Sequence, residues 1–122
     1  DLANYLASQR IGIEVCVTSN LQTIPSINSI AVHPIKKMID YGLSVSICTD
    51  NRLISNTTVS REVELVCAHA KVSRPELKRL IIAGFKGAFF HGSFAEKRGF
   101  VKAVAARYDK LVAEHFPAAK AN

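Results

Sequence analysis

The sequence predicts an α/β fold in which two parallel strands belong to an α/β barrel. Two strand-to-loop junctions carry that reading. In the first, Glu14-Val15-Cys16-Val17 runs into Thr18-Ser19-Asn20. In the second, the alternating run Leu43-Ser44-Val45-Ser46-Ile47 ends abruptly in Cys48-Thr49-Asp50-Asn51 and opens into Arg52-Leu53-Ile54-Ser55. Between them lies a helical pattern long enough to return the chain for a parallel pairing, which a two-residue hairpin cannot do. Strand C-termini are where such barrels keep their chemistry, so Asp50 is the chain's best candidate for a metal ligand.

Taken in order, residues 2 to 9 read as a helix tail ended by Arg10-Ile11-Gly12. The start has no initiator Met and no evident cap, which predicts a chain beginning mid-fold. Ile13, Val15 and Val17 alternate with Glu14, Cys16 and Thr18, the period-2 signature of a strand. A loop rich in Ser, Asn and Pro is expected from Ser19 to Val32. Pro34 sits where a first helical residue would, because its missing N–H costs nothing there. Ile35, Met38 and Ile39 make a stripe, and Gly42 is a natural terminator.

In the second strand Leu43, Val45 and Ile47 share one face, and Ser44, Ser46, Cys48 and Asp50 the other. If the larger side chains pack on helices, the small polar face points into a barrel, with Asp50 at its rim. Three helices follow Asn56. The first carries Val59, Val63, Val66, Cys67 and Ala70. The second begins at Ser73 with Pro75 in its first turn and Glu76 at N3, a capping-box arrangement. Its stripe is Leu77, Leu80, Ile81, Gly84, Phe85 and Ala88. After a break at His91-Gly92, the third carries Val101, Val104, Ala105, Tyr108, Leu111 and Val112, and the tail from Pro117 is expected to fray.

Composition narrows the class. The 122 residues, 48% of them hydrophobic, suit one domain with a core. Sixteen Lys and Arg against ten Asp and Glu give +6. The basic residues are spread along helices off the apolar stripes, and no Trp is present, so neither a nucleic-acid footprint nor a stacking platform is expected. Three cysteines (Cys16, Cys48, Cys67) without CxxC spacing suggest a reducing compartment and not a disulfide framework. No signal segment and no long apolar run is seen, so a cytoplasmic protein without a membrane partner is expected.

Glu14-Val15-Cys16-Val17-Thr18-Ser19-Asn20, then His33-Pro34-Ile35, Gly42 and Ser46-Ile47-Cys48-Thr49-Asp50-Asn51 resemble the C-terminal part of adenosine deaminases, in the order seen in bacterial members of the adenosine/AMP deaminase family. The likeness continues through Arg61-Glu62 and Lys86 to Phe89. The resemblance implies a metal-dependent-hydrolase (β/α)8 TIM barrel of which residues 1–122 hold the last two strands and the C-terminal helices. It implies a zinc hydrolase that converts adenosine and water to inosine and ammonia, with a purine nucleoside as its small-molecule partner. Thr18-Ser19-Asn20 would end the seventh strand and Thr49-Asp50 the eighth. Asp50 would be a zinc ligand that also hydrogen-bonds the attacking water.

The position after that aspartate is usually a second Asp, and here it is Asn51. A neutral purine N7 accepts hydrogen bonds, so a carboxylate must be protonated to donate to it, whereas the Asn amide donates directly. Asn51 is therefore expected to bind substrate. Val17, where the family usually has Pro, is expected to change only a bend near the rim.

The family's His-x-His pair, its further zinc-binding His and its acid/base Glu and His have no counterpart here, since His33, His69, His91 and His115 stand far apart. His33 is expected to cap a helix, and the other three to be structural or solvated. With catalytic zinc normally taking three protein ligands and water, the remaining ligands are expected upstream and this stretch alone is not expected to be active. Cys16 and Cys48 share the inward phase of neighbouring strands but read as small buried thiols. Asp50 taken alone is more often a turn residue or an N-cap than a ligand, and it is the resemblance that favours the metal role.

Two function classes remain: a deaminase for adenosine, adenine or another 6-aminopurine, of which this is a portion, and a free-standing half-barrel that serves as a binding or assembly module. A longer parent chain carrying His-x-His favours the first. Either way the open strand edges call for the missing barrel portion or self-association.

Overall fold

The computed structural model describes residues 1–116, so the expected fraying from Pro117 lies outside the described residues. The elements are α1 (Leu2–Ser8), β1 (Gly12–Val15), α2 (Val17–Thr23), a 3-10 turn (Ile30–Val32), α3 (Ile35–Asp40), β2 (Ser44–Ile47), α4 (Arg52–Ser55), α5 (Val59–Ala70), α6 (Arg74–Gly87) and α7 (Phe94–His115). The Asp1 carboxylate accepts the Ala3 N–H at 3.0 Å. The first helix is therefore capped, contrary to the reading from the sequence.

β1 and β2 pair in parallel with Ile13 opposite Val45 and Val15 opposite Ile47. This register sets the apolar sets of both strands on one face, where they join a core of Val15, Val17, Ile35, Ile39, Val45, Val66, Ala70 and Leu80. Burying that many branched side chains is the main stabilising term, at roughly 1.5–3 kcal/mol for each large one. The opposite face is not wholly open. Ser46 is buried, and α6 crosses β2 at Gly84, where a Cβ would meet the Ser46 Cβ at an ordinary contact distance of 3.6 Å.

The first strand is shorter than its alternation predicts. The Val15 carbonyl accepts the Cys48 N–H at 3.0 Å, and the next carbonyl, that of Cys16, accepts the Asn20 N–H at 2.9 Å and starts α2. Thr18, Ser19 and Asn20 therefore do not end a strand, and much of the expected loop is helix. The Thr18 N–H, one of the donors that a helix start leaves free, is taken up by the Glu62 carboxylate 44 residues downstream and not by a strand ladder.

Other boundaries follow from local chemistry. Pro34 is the cap residue of α3 and not its first helical residue. Gly42 turns the chain into β2 at φ +79, a left-handed conformation that glycine adopts freely. The Ser73/Glu76 capping box forms as the sequence predicts, and a second, Ser93/Glu96, opens α7. α5 buries Glu62, Val66 and Ala70, while Val59 and Val63 line an apolar groove with Ile47, Leu80, Ile81 and Phe85. Lys36 bonds both Asp40 (2.7 Å) and Glu76 (3.3 Å), tying α3 to the start of α6. No helix among the described residues is long and apolar enough to cross a membrane.

Candidate functional site

The site is assembled where β1 and β2 end. β2 stops at Ile47, and Asp50 follows with φ +55, a left-handed conformation that Asp tolerates better than most side chains. The turn leaves Asp50 exposed at the strand's C-terminal end. One of its oxygens, Oδ2, accepts the Ser19 hydroxyl at 2.8 Å. Ser19 itself is buried in the first turns of α2. The two strand-to-loop junctions picked out by the sequence are thus joined through a side chain of each.

Asn51 caps α4. Its Oδ1 accepts the N–H groups of Leu53 (3.1 Å) and Ile54 (3.2 Å). This pair of bonds identifies which amide atom is the oxygen and leaves the two Nδ2 donors for another partner. Of the sequence alternatives for position 50, the turn belongs to Asp50 and the cap to its neighbour.

Beneath this rim lies a polar cluster that the local patterns of the sequence do not reveal. Glu62 of α5 has no exposed surface. Its Oε2 accepts the Thr18 N–H at 3.0 Å, and its Oε1 accepts the hydroxyls of Thr18 and of Thr57, the latter at 2.7 Å. A buried carboxylate with three donors is fully provided for. Only the Arg61-Glu62 stretch of the resemblance pointed near it. On a helical wheel Glu62 falls on the Val66–Ala70 face, and a charged residue on an apolar stripe is the one available signal.

His33 is buried and serves as the cap that its place before Pro34 suggests. Its Nδ1 accepts the Ile35 N–H at 3.1 Å, so in the neutral ring Nε2 carries the proton and donates to Asn20 Oδ1 at 3.1 Å. Burial lowers its pKa below the ordinary 6.5, with the nearby Glu62 charge acting in the opposite sense. His69, His91 and His115 are exposed and far from Asp50 in the fold's order.

Cys16 and Cys48 stand at neighbouring strand ends, half-buried and free. Burial raises both thiols above their ordinary pKa, with the proximity of Cys48 adding to the effect at Cys16, which keeps them protonated at neutral pH. They behave as the small packed thiols expected.

The described residues contain no group of three or more His, Cys, Asp or Glu placed to hold a metal ion. Asp50 offers one carboxylate, exposed and steadied on one oxygen. Such a group fits one oxygen ligand of a catalytic metal whose other ligands come from elsewhere.

The adenosine deaminase family pattern matches residues 1–107. Adenosine deaminase of Escherichia coli (strain SE11) is 37% identical over 106 residues, covering 87% of this chain and 31% of that protein. That of Vibrio cholerae (O395) is 35% identical over 106 residues, again 87% of this chain and 31% of the relative. The chain thus spans about 31% of the length of the curated relatives it matches.

Among solved structures, an amidohydrolase from Burkholderia ambifaria with bound zinc superposes with a TM-score of 0.79 at 26% identity, over 93% of this chain and 31% of that one. The N6-methyl-AMP deaminase of Arabidopsis thaliana gives 0.71 at 28%, over 92% and 31%. Adenine deaminase of Arthrobacter aurescens shares the fold, with a TM-score of 0.76 at 23% identity, over 90% and 32%. The two parallel strands and the helices after them are accordingly the C-terminal part of a (β/α)8 TIM barrel of the deaminase type, and the chain belongs to the adenosine deaminase family.

Proposed function

We propose that this chain supplies one wall and one metal ligand of a zinc-dependent deaminase acting on a 6-aminopurine nucleoside, with adenosine the preferred substrate. The observation that carries the reading is the position of Asp50. It is an exposed carboxylate at the C-terminal end of β2, held in a left-handed turn and bonded by a buried hydroxyl, in a chain of this family.

Asp50 would hold zinc together with ligands from the barrel portion outside this chain, the chain's principal partner. When bound, zinc lowers the pKa of water and so supplies a nucleophile near neutral pH. The work of this chain's residues is positional. The Asp50 carboxylate accepts a hydrogen bond from the attacking water and orients it toward purine C6. Water adds to C6, the C6–N bond breaks, and ammonia leaves with the protons that complete it, giving inosine.

Asn51 donates from Nδ2 to purine N7. An Asp in its place would keep the helix cap but would need a proton to make the same contact. Asn51 therefore performs both tasks without titrating.

The assay is loss of adenosine absorbance with the full-length protein and zinc. Turnover of adenosine that disappears on chelation and returns with zinc supports the proposal. Absence of turnover on adenosine, with activity on adenine or on N6-methyl-AMP, would assign the site to another 6-substituted purine. The relation to the N6-methyl-AMP deaminase at 28% identity makes that the second reading to test. No activity on any of the three sinks the deaminase reading.

A further inference from the structure

We infer that Ser19 is a positioning residue for Asp50: its buried hydroxyl selects the orientation of that carboxylate, and the Glu62–Thr18 clamp keeps the hydroxyl in place. The inference rests on the proposed role of Asp50 as a metal ligand.

An exposed aspartate has a broad, two-fold torsion about its last bond, so nothing intrinsic fixes which oxygen faces a metal. The Ser19 Oγ donates to Asp50 Oδ2 at 2.8 Å and removes that freedom. A hydroxyl donating to an ionised carboxylate makes the stronger kind of hydrogen bond, and it occupies one oxygen while leaving the other available.

The choice of Asp50 as acceptor is not an accident of helix geometry. Serine in a helix commonly bonds back to the carbonyl four residues earlier, here that of Val15. Val15, however, lies in β1 and not in the helix, its carbonyl directed along the ladder to the Cys48 N–H at 3.0 Å, so Ser19 has no helical carbonyl one turn back and bonds across to Asp50.

Ser19 cannot drift either. The preceding residue, Thr18, is held at its N–H and its hydroxyl by Glu62, and Glu62 is held in turn by the Thr57 hydroxyl at 2.7 Å. Thr23 closes the other side, its hydroxyl donating to the Ser19 carbonyl at 2.8 Å. The donor is therefore set on a rigid, satisfied network, as an outer partner of a metal ligand needs to be.

The test measures zinc affinity of the full-length protein by competition with a chromogenic chelator, alongside the melting temperature of the metal-free protein. Ser19→Ala should weaken zinc binding about 10- to 100-fold, the usual cost of losing an outer partner of a ligand. The metal-free melting temperature should stay within a few degrees of the parent's. Ser19→Thr, which keeps the hydroxyl, should recover most of the affinity, and Ser19→Val, the same shape without it, should not. Equal affinity of the Thr and Val variants overturns the inference. So does a Ser19→Ala protein that fails to fold, which would make the residue structural. Asp50→Ala serves as the control: if it leaves zinc affinity unchanged, the metal-ligand reading fails, whatever Ser19 does.

Discussion

The Glu62 carboxylate holds Thr18 twice, through the backbone N–H at 3.0 Å and through the side-chain hydroxyl, across 44 residues of sequence. This pairing binds α5 to the first turn of α2, just after the chain leaves the sheet at Val15. Removing the acceptor should be expensive. Glu62→Ala leaves the buried Thr57 hydroxyl and the half-buried Thr18 N–H without their acceptor and opens a cavity, and should cost about 3 kcal/mol of stability in the full-length protein. Glu62→Gln, which keeps the shape but directs an amide donor at hydroxyl donors, should cost less. Denaturant unfolding of both variants decides the matter, and a loss under half a kcal/mol for Glu62→Ala would show the clamp to be unimportant.

Asp50→Ala in the complete enzyme should abolish turnover while leaving the fold intact. It loses a metal ligand and an orienting hydrogen bond together, which should reduce the rate on the order of 10³-fold or more. Retention of a tenth of the parent's turnover, with a normal circular-dichroism spectrum, would remove Asp50 from the site.

Asn51→Ala should lower the specificity constant for adenosine by roughly 1–3 kcal/mol. On a 7-deaza analogue, which has no acceptor at that position, the loss should be much smaller. The same change deletes the α4 cap and should cost about 1 kcal/mol of stability. Asn51→Asp keeps the cap and so separates the two effects: stability near the parent's, with adenosine specificity reduced at neutral pH. Equal losses on both substrates would make Asn51 purely structural.

His33 gives a signed pH dependence. Its folded pKa lies below the unfolded value of 6.5, so the unfolded chain binds the proton more readily. The stability due to neutral His33 is fully present above about pH 6.5 and is lost as pH falls from there toward the folded pKa. Asn at this position can still accept the Ile35 N–H without titrating. The stability advantage of the parent over His33→Asn should therefore be constant above pH 6.5 and shrink below it, as read from urea unfolding across pH. A difference that does not change with pH would mean His33 stays uncharged, or equally charged, in both states.

The isolated 122-residue chain should self-associate. β1 and β2 pair only with each other among the described residues, which leaves an unpaired edge on each strand. The groove between Ile47, Val63, Leu80 and Phe85 adds apolar surface beside one of them. Light scattering that shows a compact monomer with a cooperative melt would contradict this.

What was legible in the sequence was what repeats locally. The alternation of Leu43, Val45 and Ile47, the Ile35/Ile39 stripe, Gly42 and the Ser73/Glu76 box all depend on near neighbours, and each stands as read. His33 was also readable, because a side chain just before a helix-opening Pro has a free N–H within reach. What failed depends on distant partners. Val17 and Thr18 alternate like strand residues, yet the Thr18 donor is captured by Glu62, and α2 follows. α4 could not be anticipated from four residues, since its cap and its αL terminator Asn56 carry it more than any stripe does. At the site, the two junctions read from the sequence do meet in the fold, with Asp50 at the end of the second. The partner that Ser19 provides could not be read, because it depends on how the two strand ends meet.

The left-handed turn at position 50 sets backbone strain against a hydrogen bond. A non-glycine residue at φ +55 costs up to about 1–2 kcal/mol, less for Asp than for bulkier side chains, and Gly would relieve it. A screen for heat resistance in the full-length protein should nonetheless gain little from Asp50→Gly, because that change leaves the buried Ser19 hydroxyl without its acceptor, at a cost of about 1–3 kcal/mol. Durability and an intact carboxylate at the strand end are thereby selected together at position 50.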